Sequence, residues 1–340
     1  MKHLITGGSG FLGNLIARRL VERGEEVRVL DVWEDTTKPR DVEYIRCDVR
    51  DRPGVSRAMH GIDIVHHNAA LVPLTKSGKD FWTVNTEGSR IVAEEAAGRA
   101  KAFIHMSSSA IYGSPKCPIT EATPFSPVEA YGRAKLAGEL IVREVCDKRA
   151  LPLIVIRPRT ILGRGRLGIF QILFDWIRES RRIFVIGTGN MPFQFVHADD
   201  LIEAYTLALD HGKPGVYNVG TDRFGTLREA LESLIRHAGT SSRVTSLPAG
   251  ITISTLRALD LLGLSPLAPW HYLTYDKEFF FDVQPLLALG WKARYSNEEM
   301  FRETYDWFIA NQGVARTPSS SSPHRKRVNE GILWLLRKLS

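Results

Sequence analysis

Lys2-His-Leu-Ile-Thr6, followed by Gly7-Gly-Ser-Gly-Phe-Leu-Gly13, is the stretch on which the reading of this chain turns. The first five residues read as a short buried strand. Gly7, Gly10 and Gly13 then stand three apart, and a helical pattern runs from about Phe11 to Arg23, with Leu12, Leu15, Ile16 and Leu20 on one side. Gly24 ends it. Val27-Arg-Val-Leu30 is the next strand, closed by Asp31. Glycines between a strand and a helix let the backbone approach a pyrophosphate, whose charge the helix N-terminus stabilises. An acid ending the second strand accepts hydrogen bonds from an adenosine ribose and repels a 2′-phosphate. The segment predicts NAD rather than NADP, against the plain alternative of a tight turn that binds nothing.

Working outward, the alternation continues. Strands are expected at Tyr44–Cys47, Ile62–His67, Ala102–Met106 and Leu153–Ile156, and helices at Gly54–His60, Phe81–Gly98 and Tyr131–Lys148. Strands alternating with helices imply right-handed crossovers and a parallel sheet covered on both faces. The expected fold is α/β, a doubly wound Rossmann sheet over 1–165, with a smaller C-terminal substrate region over 166–313, some of whose elements return to the core. In that second part helices are expected at Ile169–Arg178, Asp199–Asp210 and Thr226–His237, and strands at Ile183–Ile186 and Val216–Val219. Residues 314–325 read as a linker, centred on Thr317-Pro-Ser-Ser-Ser-Ser-Pro323, and 326–340 as a basic amphipathic tail.

With 44% hydrophobic and 24% charged residues over 340 positions, disorder is excluded as the dominant state. Cys47, Cys117 and Cys146 form no CxxC pair and no metal-ligand spacing, which suits a reducing cytosol and predicts no metal. The net charge of +7 is concentrated in the tail; no nucleic-acid recognition motif accompanies it. No run reaches membrane-spanning length, and a strand begins too early for a leader peptide.

Further motifs follow the glycine turn in order: Asp48-Val49, Asn68-Ala69-Ala70, Asn85, Ser107-Ser-Ser-Ala-Ile-Tyr-Gly113, Tyr131-Gly-Arg-Ala-Lys135 and Arg157-Pro158. With the Gly-x-x-Gly-x-x-Gly spacing, this set resembles the extended short-chain dehydrogenase/reductases, the NAD-dependent epimerase/dehydratase family, over roughly the first 220 residues. The resemblance implies an enzyme that holds NAD through Gly7, Gly10, Phe11, Leu12, Gly13, Asp31, Asp48, Val49, Asn68, Ala69, Ala70, Asn85, Lys135 and Pro158. It also implies Tyr131, Lys135 and Ser108 as the catalytic set, with Ser107 and Ser109 as fallbacks, and raises a homodimer through the helix carrying Tyr131.

The chemistry follows from the residues as well. Tyr131 and Lys135 are four apart and share a helix face. A phenol near pKa 10 needs a neighbouring positive charge to exchange protons at neutral pH. Lys135 and the nicotinamide of NAD would supply it. His66-His67 is read as packing near the cofactor, Asp199-Asp200 as a helix-start pair, and Trp176, Trp291 and Trp307 as core.

The substrate divides the resemblance. Nucleotide-sugar members carry an arginine before His197 that binds phosphate; here Pro192 and Phe193 stand in that segment, leaving Arg159, Arg164, Arg166 and Arg257 as substitutes. Pro269-Trp-His-Tyr-Leu-Thr-Tyr275, Phe279-Phe-Phe-Asp282 and Leu289-Gly-Trp291 look more like the 3β-hydroxysteroid dehydrogenase branch. The preferred expectation is hydride transfer at a hydroxyl or ketone carbon of a lipid-borne substrate, sterol-like or a long-chain keto-lipid, by a cytoplasmic enzyme. Its tail would lie on the inner face of a membrane. The alternatives are a nucleotide-sugar epimerase and a cofactor-binding subunit without activity. A dehydratase fits less well, because Ser109-Ala110 follows Ser108 where an Asp-Glu pair would be needed.

Overall fold

The computed structural model describes residues 1–35, 37–71, 78–262, 265 and 269–311. The linker and basic tail expected beyond 313, and with them the membrane contact, lie outside the described residues. The strands are β1 (Lys2–Thr6), β2 (Glu26–Asp31), β3 (Glu43–Arg46), β4 (Ile64–His67), β5 (Ala102–Met106), β6 (Leu153–Pro158), β7 (Thr160–Leu162), β8 (Ile183–Ile186), β9 (Phe195–His197), β10 (Gly215–Val219) and β11 (Val244–Leu247). The helices are α1 (Phe11–Glu22), α2 (Arg52–Ala58), α3 (Gly78–Thr83), α4 (Ser89–Ala96), α5 (Ala130–Arg149), α6 (Phe170–Arg178), α7 (Ala198–His211), α8 (Leu227–Ala238), α9 (Ala249–Leu261), α10 (Pro269–Thr274), α11 (Gln284–Ala288) and α12 (Asn297–Ala310).

Seven parallel strands form the central sheet in the order β10-β6-β5-β4-β1-β2-β3. The chain runs outward from β1 to β3, then returns to place β4 on the other side of β1. The glycine turn after β1 therefore sits where the strand order reverses, the place at which open α/β sheets bind ligands. Register follows: Thr6 pairs with Leu30 on one side and His67 on the other. Leu4 and Ile5 are both fully buried but face opposite sides, as the two-residue period of a strand requires. Leu4 packs with Val65, Val92 and Val142, and Ile5 with Ile16, Leu20 and Leu201. A third core lies under the second part of the chain and is built on aromatic edges. Phe195 and Phe170 each meet Phe301 at a ring separation of 5.2 Å, nearly perpendicular.

Several expected boundaries shift for physical reasons. The helix expected over 81–98 is broken by a wide π turn at Val84–Gly88. There the side chains of Asn85, Thr86 and Ser89 bond carbonyls four residues back, at Phe81, Trp82 and Asn85, in competition with the helix's own N–H groups. The helix expected from Gly54 begins at Arg52, because Pro53 is accepted in a first turn. The strand expected from Ile62 begins at Ile64. Asp200 does more than start α7. It is fully buried and accepts the backbone N–H groups of Arg294 and Tyr295, each at 3.1 Å. Helix α12 was not foreseen, although Ser296 and Glu299 form a capping box at its start.

Candidate active site

The glycine turn is folded on itself. Gly7 has φ of +67°, and a Cβ on Gly13 would lie 2.3 Å from the Gly7 carbonyl oxygen. Helix α1 then starts with no side-chain cap and no acid in its first turn, whereas α8 and α12 both carry capping boxes. Its first N–H groups and its positive end are left for an anion. Asp31, at the end of β2, accepts the N–H groups of Ser9 (3.1 Å) and Val32 (2.8 Å). Burial pushes its carboxyl up to about 6 against those bonds. Nearby, Asn14 Nδ2 donates to Asp35 at 2.8 Å and Asp35 N to Ser9 Oγ at 3.2 Å, strapping the following loop to the turn. A phosphate cradle with an acceptor at the end of the second strand fits NAD.

Across from the turn a cavity of about 260 Å³ opens. Gly7, Gly10, Phe11, Leu12 and Gly13 form one wall, and Asn68 and Ala70, just after β4, extend it. Opposite stand Ser108, Tyr131, Lys135 and Pro158. Tyr131 lies in the first turn of α5, fixed by its N-cap: buried Glu129 accepts the N–H groups of Tyr131 and Gly132, both at 2.6 Å. A Cβ on Gly132 would lie 2.5 Å from the Ala110 carbonyl oxygen, so α5 seats directly on the tight turn after β5. That contact sets Tyr131 beside Ser108 on the cavity wall, where Ser108 favours the ionised phenol.

The three serines are separated by their partners. Ser107 Oγ donates to buried Glu139 at 2.6 Å, and Ser109 Oγ accepts from Arg159 at 3.1 Å. Ser108 Oγ caps its own turn by accepting from Ala110 N at 3.2 Å, and faces Tyr131. The cation expected to act on Tyr131 is not the one that does so in the chain by itself. Burial raises the phenol, while Ser108 and then Arg166 pull it down. Lys135 Nζ instead donates to the Met106 carbonyl at 2.6 Å, and burial lowers it to about 8 against the pull of Glu139.

Behind these groups is a buried brace. Glu139 on α5 takes Arg157 Nη2 at 2.5 Å and Nε at 3.0 Å, from β6, in addition to Ser107. Burial opposes ionisation of Glu139, but Arg157, Ser107 and Arg143 outweigh it and hold the carboxyl below its usual range. His67 bridges Thr6 Oγ1 (2.7 Å) and Ser89 Oγ (2.9 Å), and burial pulls it down to about 3, so it is neutral.

Other expected residues lie elsewhere. The Asp48 carboxylate is held by Arg50 (2.7 and 3.0 Å), and Val49 is buried against Gly88. Asn85 pins the π turn by donating to Leu71 O and Phe81 O. Neither Asp48, Val49 nor Asn85 forms part of the cavity wall. Of the four substitute arginines, Arg164 is exposed and bonded to Glu303, and Arg257 is exposed on α9. Arg159 and Arg166 line the cavity. Thr160, Ile161 and Phe170 also line it with nothing in their local spacing to mark them, as does Tyr275, which ends the aromatic stretch read as a substrate region.

The model of the NAD dependent epimerase/dehydratase family matches residues 3–220, and the chain belongs to that family. It is an enzyme of the extended short-chain dehydrogenase type, and its cofactor is NAD. An uncharacterised protein, y4nG of Sinorhizobium fredii, is 42% identical over 336 residues, covering 98% of this chain and 85% of that one. The probable UDP-arabinose 4-epimerase 3 of Arabidopsis thaliana is 26% identical, over 89% of this chain and 80% of that one. The sterol-4-alpha-carboxylate 3-dehydrogenase of Mus musculus is 30% identical, over 62% of this chain and 59% of that one. Among solved structures, the UDP-glucose 4-epimerase of Thermus thermophilus in complex with NAD superposes with a TM-score of 0.71 at 27% identity, covering 91% of this chain and 99% of that one.

Proposed function

We propose that this chain oxidises and re-reduces a secondary alcohol of a nucleotide-linked sugar, as an epimerase that retains its NAD. The observation that carries the reading is that Tyr131, Ser108 and Lys135 share one cavity with the glycine turn. In this reading Tyr131 takes the proton from the substrate hydroxyl and later returns it. Ser108 donates to the same oxygen and holds it in line. Arg166 favours the ionised phenol, and Lys135, fixed by the Met106 carbonyl, adds a donor on the same cavity wall. Held by the glycine turn and Asp31, NAD would supply a reversible hydride acceptor for the reacting carbon. Epimerisation requires the ketone to turn over before it is reduced again, so the walls must orient it without gripping one face.

Two things favour a sugar over the lipid expected from the sequence. The relatives at high coverage include sugar-nucleotide epimerases. The aromatic region that suggested a lipid slot is largely core: Phe279, Phe281, Tyr272 and Trp291 are each less than 5% exposed. No helix among the described residues is long and apolar enough to cross a membrane.

The experiment is incubation of the NAD-loaded protein with UDP-glucose, UDP-arabinose and UDP-glucuronate, with products read by proton NMR. The C4 epimer should appear without accumulation of reduced cofactor. Stoichiometric reduced cofactor with a 3-hydroxysterol, and no turnover of any nucleotide sugar, would replace this reading with the lipid dehydrogenase.

A further inference from the structure

Arg157-Pro158-Arg159 places two buried arginines two residues apart, and they are treated very differently. Arg157 is matched by the Glu139 carboxylate. Arg159 is 1% exposed, yet no carboxylate pairs with it among the described residues. Its Nε donates to the Gln194 carbonyl at 3.0 Å and its Nη1 to Ser109 Oγ at 3.1 Å, both uncharged acceptors. Nη2 has no hydrogen-bond partner among the described residues. The guanidinium lies 3.9 Å from the centroid of the Phe279 ring and 4.9 Å from that of Phe193. Aromatic faces offset part of the cost of a buried cation but supply no acceptor for its N–H groups. Burial lowers its pKa to about 9, which still leaves it charged at neutral pH. It lines the same cavity as Ser108 and Tyr131, and is tied to the residue next to Ser108.

We propose that Arg159 Nη2 binds a carboxylate of the substrate, carried close to the carbon that Tyr131 and Ser108 address. The proposal deepens the sugar-nucleotide reading and rests on it for the identity of the ring: the sugar would be a uronic acid rather than a neutral hexose. A carboxylate suits the site better than a phosphate. One buried cation balances one negative charge, whereas the second charge of a phosphate dianion would be left against aromatic walls. The diphosphate of a nucleotide sugar also lies at the far end of the ring's substituents from the reacting alcohol. Arg159 is anchored at the reacting end.

Arg159 thereby sets specificity in addition to tying Gln194 to Ser109. In a purely structural role its loss would affect all ligands alike. The test uses the full-length, NAD-loaded protein, with Arg159→Met and Arg159→Lys. Free glucuronate, glucose and inorganic phosphate are titrated against thermal unfolding, and UDP-glucuronate and UDP-glucose by calorimetry. Glucuronate should stabilise the wild type, with glucose and phosphate doing markedly less. UDP-glucuronate should bind roughly 10- to 100-fold more tightly than UDP-glucose, the worth of a charge-assisted hydrogen bond. Arg159→Met should erase both preferences and cost UDP-glucuronate far more than UDP-glucose, with a lower unfolding temperature from the lost Gln194 and Ser109 bonds, and Arg159→Lys should keep part of the preference. Equal stabilisation by phosphate, no response to glucuronate, or equal loss of both UDP-sugars in Arg159→Met would overturn the proposal. A glucuronate response with neither UDP-sugar bound would instead overturn the nucleotide reading and leave the carboxylate seat standing.

Discussion

Replacing Glu139 by Gln removes the charge that two site elements share. Glu139 is fully buried and bonds Arg157 twice, at 2.5 and 3.0 Å, and Ser107 once, at 2.6 Å. The substitution leaves Arg157, 1% exposed, as a buried cation with the Tyr112 hydroxyl but no counter-charge. Breaking one side of such a pair costs about 3–5 kcal/mol. The amide oxygen of Gln keeps one acceptor, which places the expected loss near about 3 kcal/mol, a large share of a typical stability of about 5–15 kcal/mol. At about 2 °C per kcal/mol for a large chain, the unfolding midpoint falls by about 6 °C. The penalty has a pH signature. The folded carboxyl is held low, so its contribution is full above the unfolded value near 4.5 and is lost as pH falls through the lower folded value; the gap between wild type and variant should close in acid. Glu139 is also the group that raises Lys135 against burial, so the lysine should titrate below its value of about 8 in the variant. Glu139→Leu combined with Arg157→Met removes both charges and should recover at least half of the loss. Urea unfolding followed by fluorescence measures each variant. A single-variant loss below about 1 kcal/mol, or a double variant as unstable as the sum of the singles, would refute the reasoning.

Other outcomes are expected from the same geometry. Gly13→Ala places a methyl 2.3 Å from the Gly7 carbonyl oxygen and should cost about 1–3 kcal/mol while abolishing NAD binding, read by differential scanning fluorimetry with and without NAD. NAD affinity should weaken as pH falls through about 6, where Asp31 gains a proton and loses acceptor capacity; Asp31→Asn should flatten that dependence in calorimetric titrations. Because its folded pKa is raised, ionised Asp31 disfavours the cofactor-free fold above pH about 6, so Asp31→Asn without NAD should be no less stable than wild type at pH 7. Lys135, lowered to about 8, binds fewer protons folded than unfolded between about 8 and its ordinary 10.5. Stability should therefore rise across that window relative to a Lys135→Met variant, measured by urea midpoints at each pH.

The sheet was legible because buried parallel strands are short apolar runs, as at His3–Thr6 and Phe103–Met106, and the glycine turn marked its reversal point. Tyr131 and Lys135 were legible because a four-residue spacing on a helix is a local property. Ser108 was selected over Ser107 and Ser109 by the resemblance alone, because what separates the three is not local. That separation depends on Glu139, thirty-two residues after Ser107, and on Arg159, fifty after Ser109. Arg159 stood among four arginines offered as phosphate-binding substitutes, and nothing local singled it out, since whether a cation is matched is a tertiary fact. The aromatic run at Phe279–Phe281 misled because an apolar core and an apolar ligand slot have the same composition. Helix α12 could have been found from Ser296 and Glu299 ahead of Met300-Phe301.

The most direct measurement mixes the NAD-loaded protein with UDP-glucuronate or UDP-glucose in a stopped-flow instrument and follows transient formation of reduced nicotinamide in wild type and Tyr131→Phe. With the phenol as the acid/base, the wild type gives a fast transient and Tyr131→Phe slows it by about 10²–10⁴-fold while NAD binding is unchanged. A Tyr131→Phe variant that retains the wild-type rate would contradict the account.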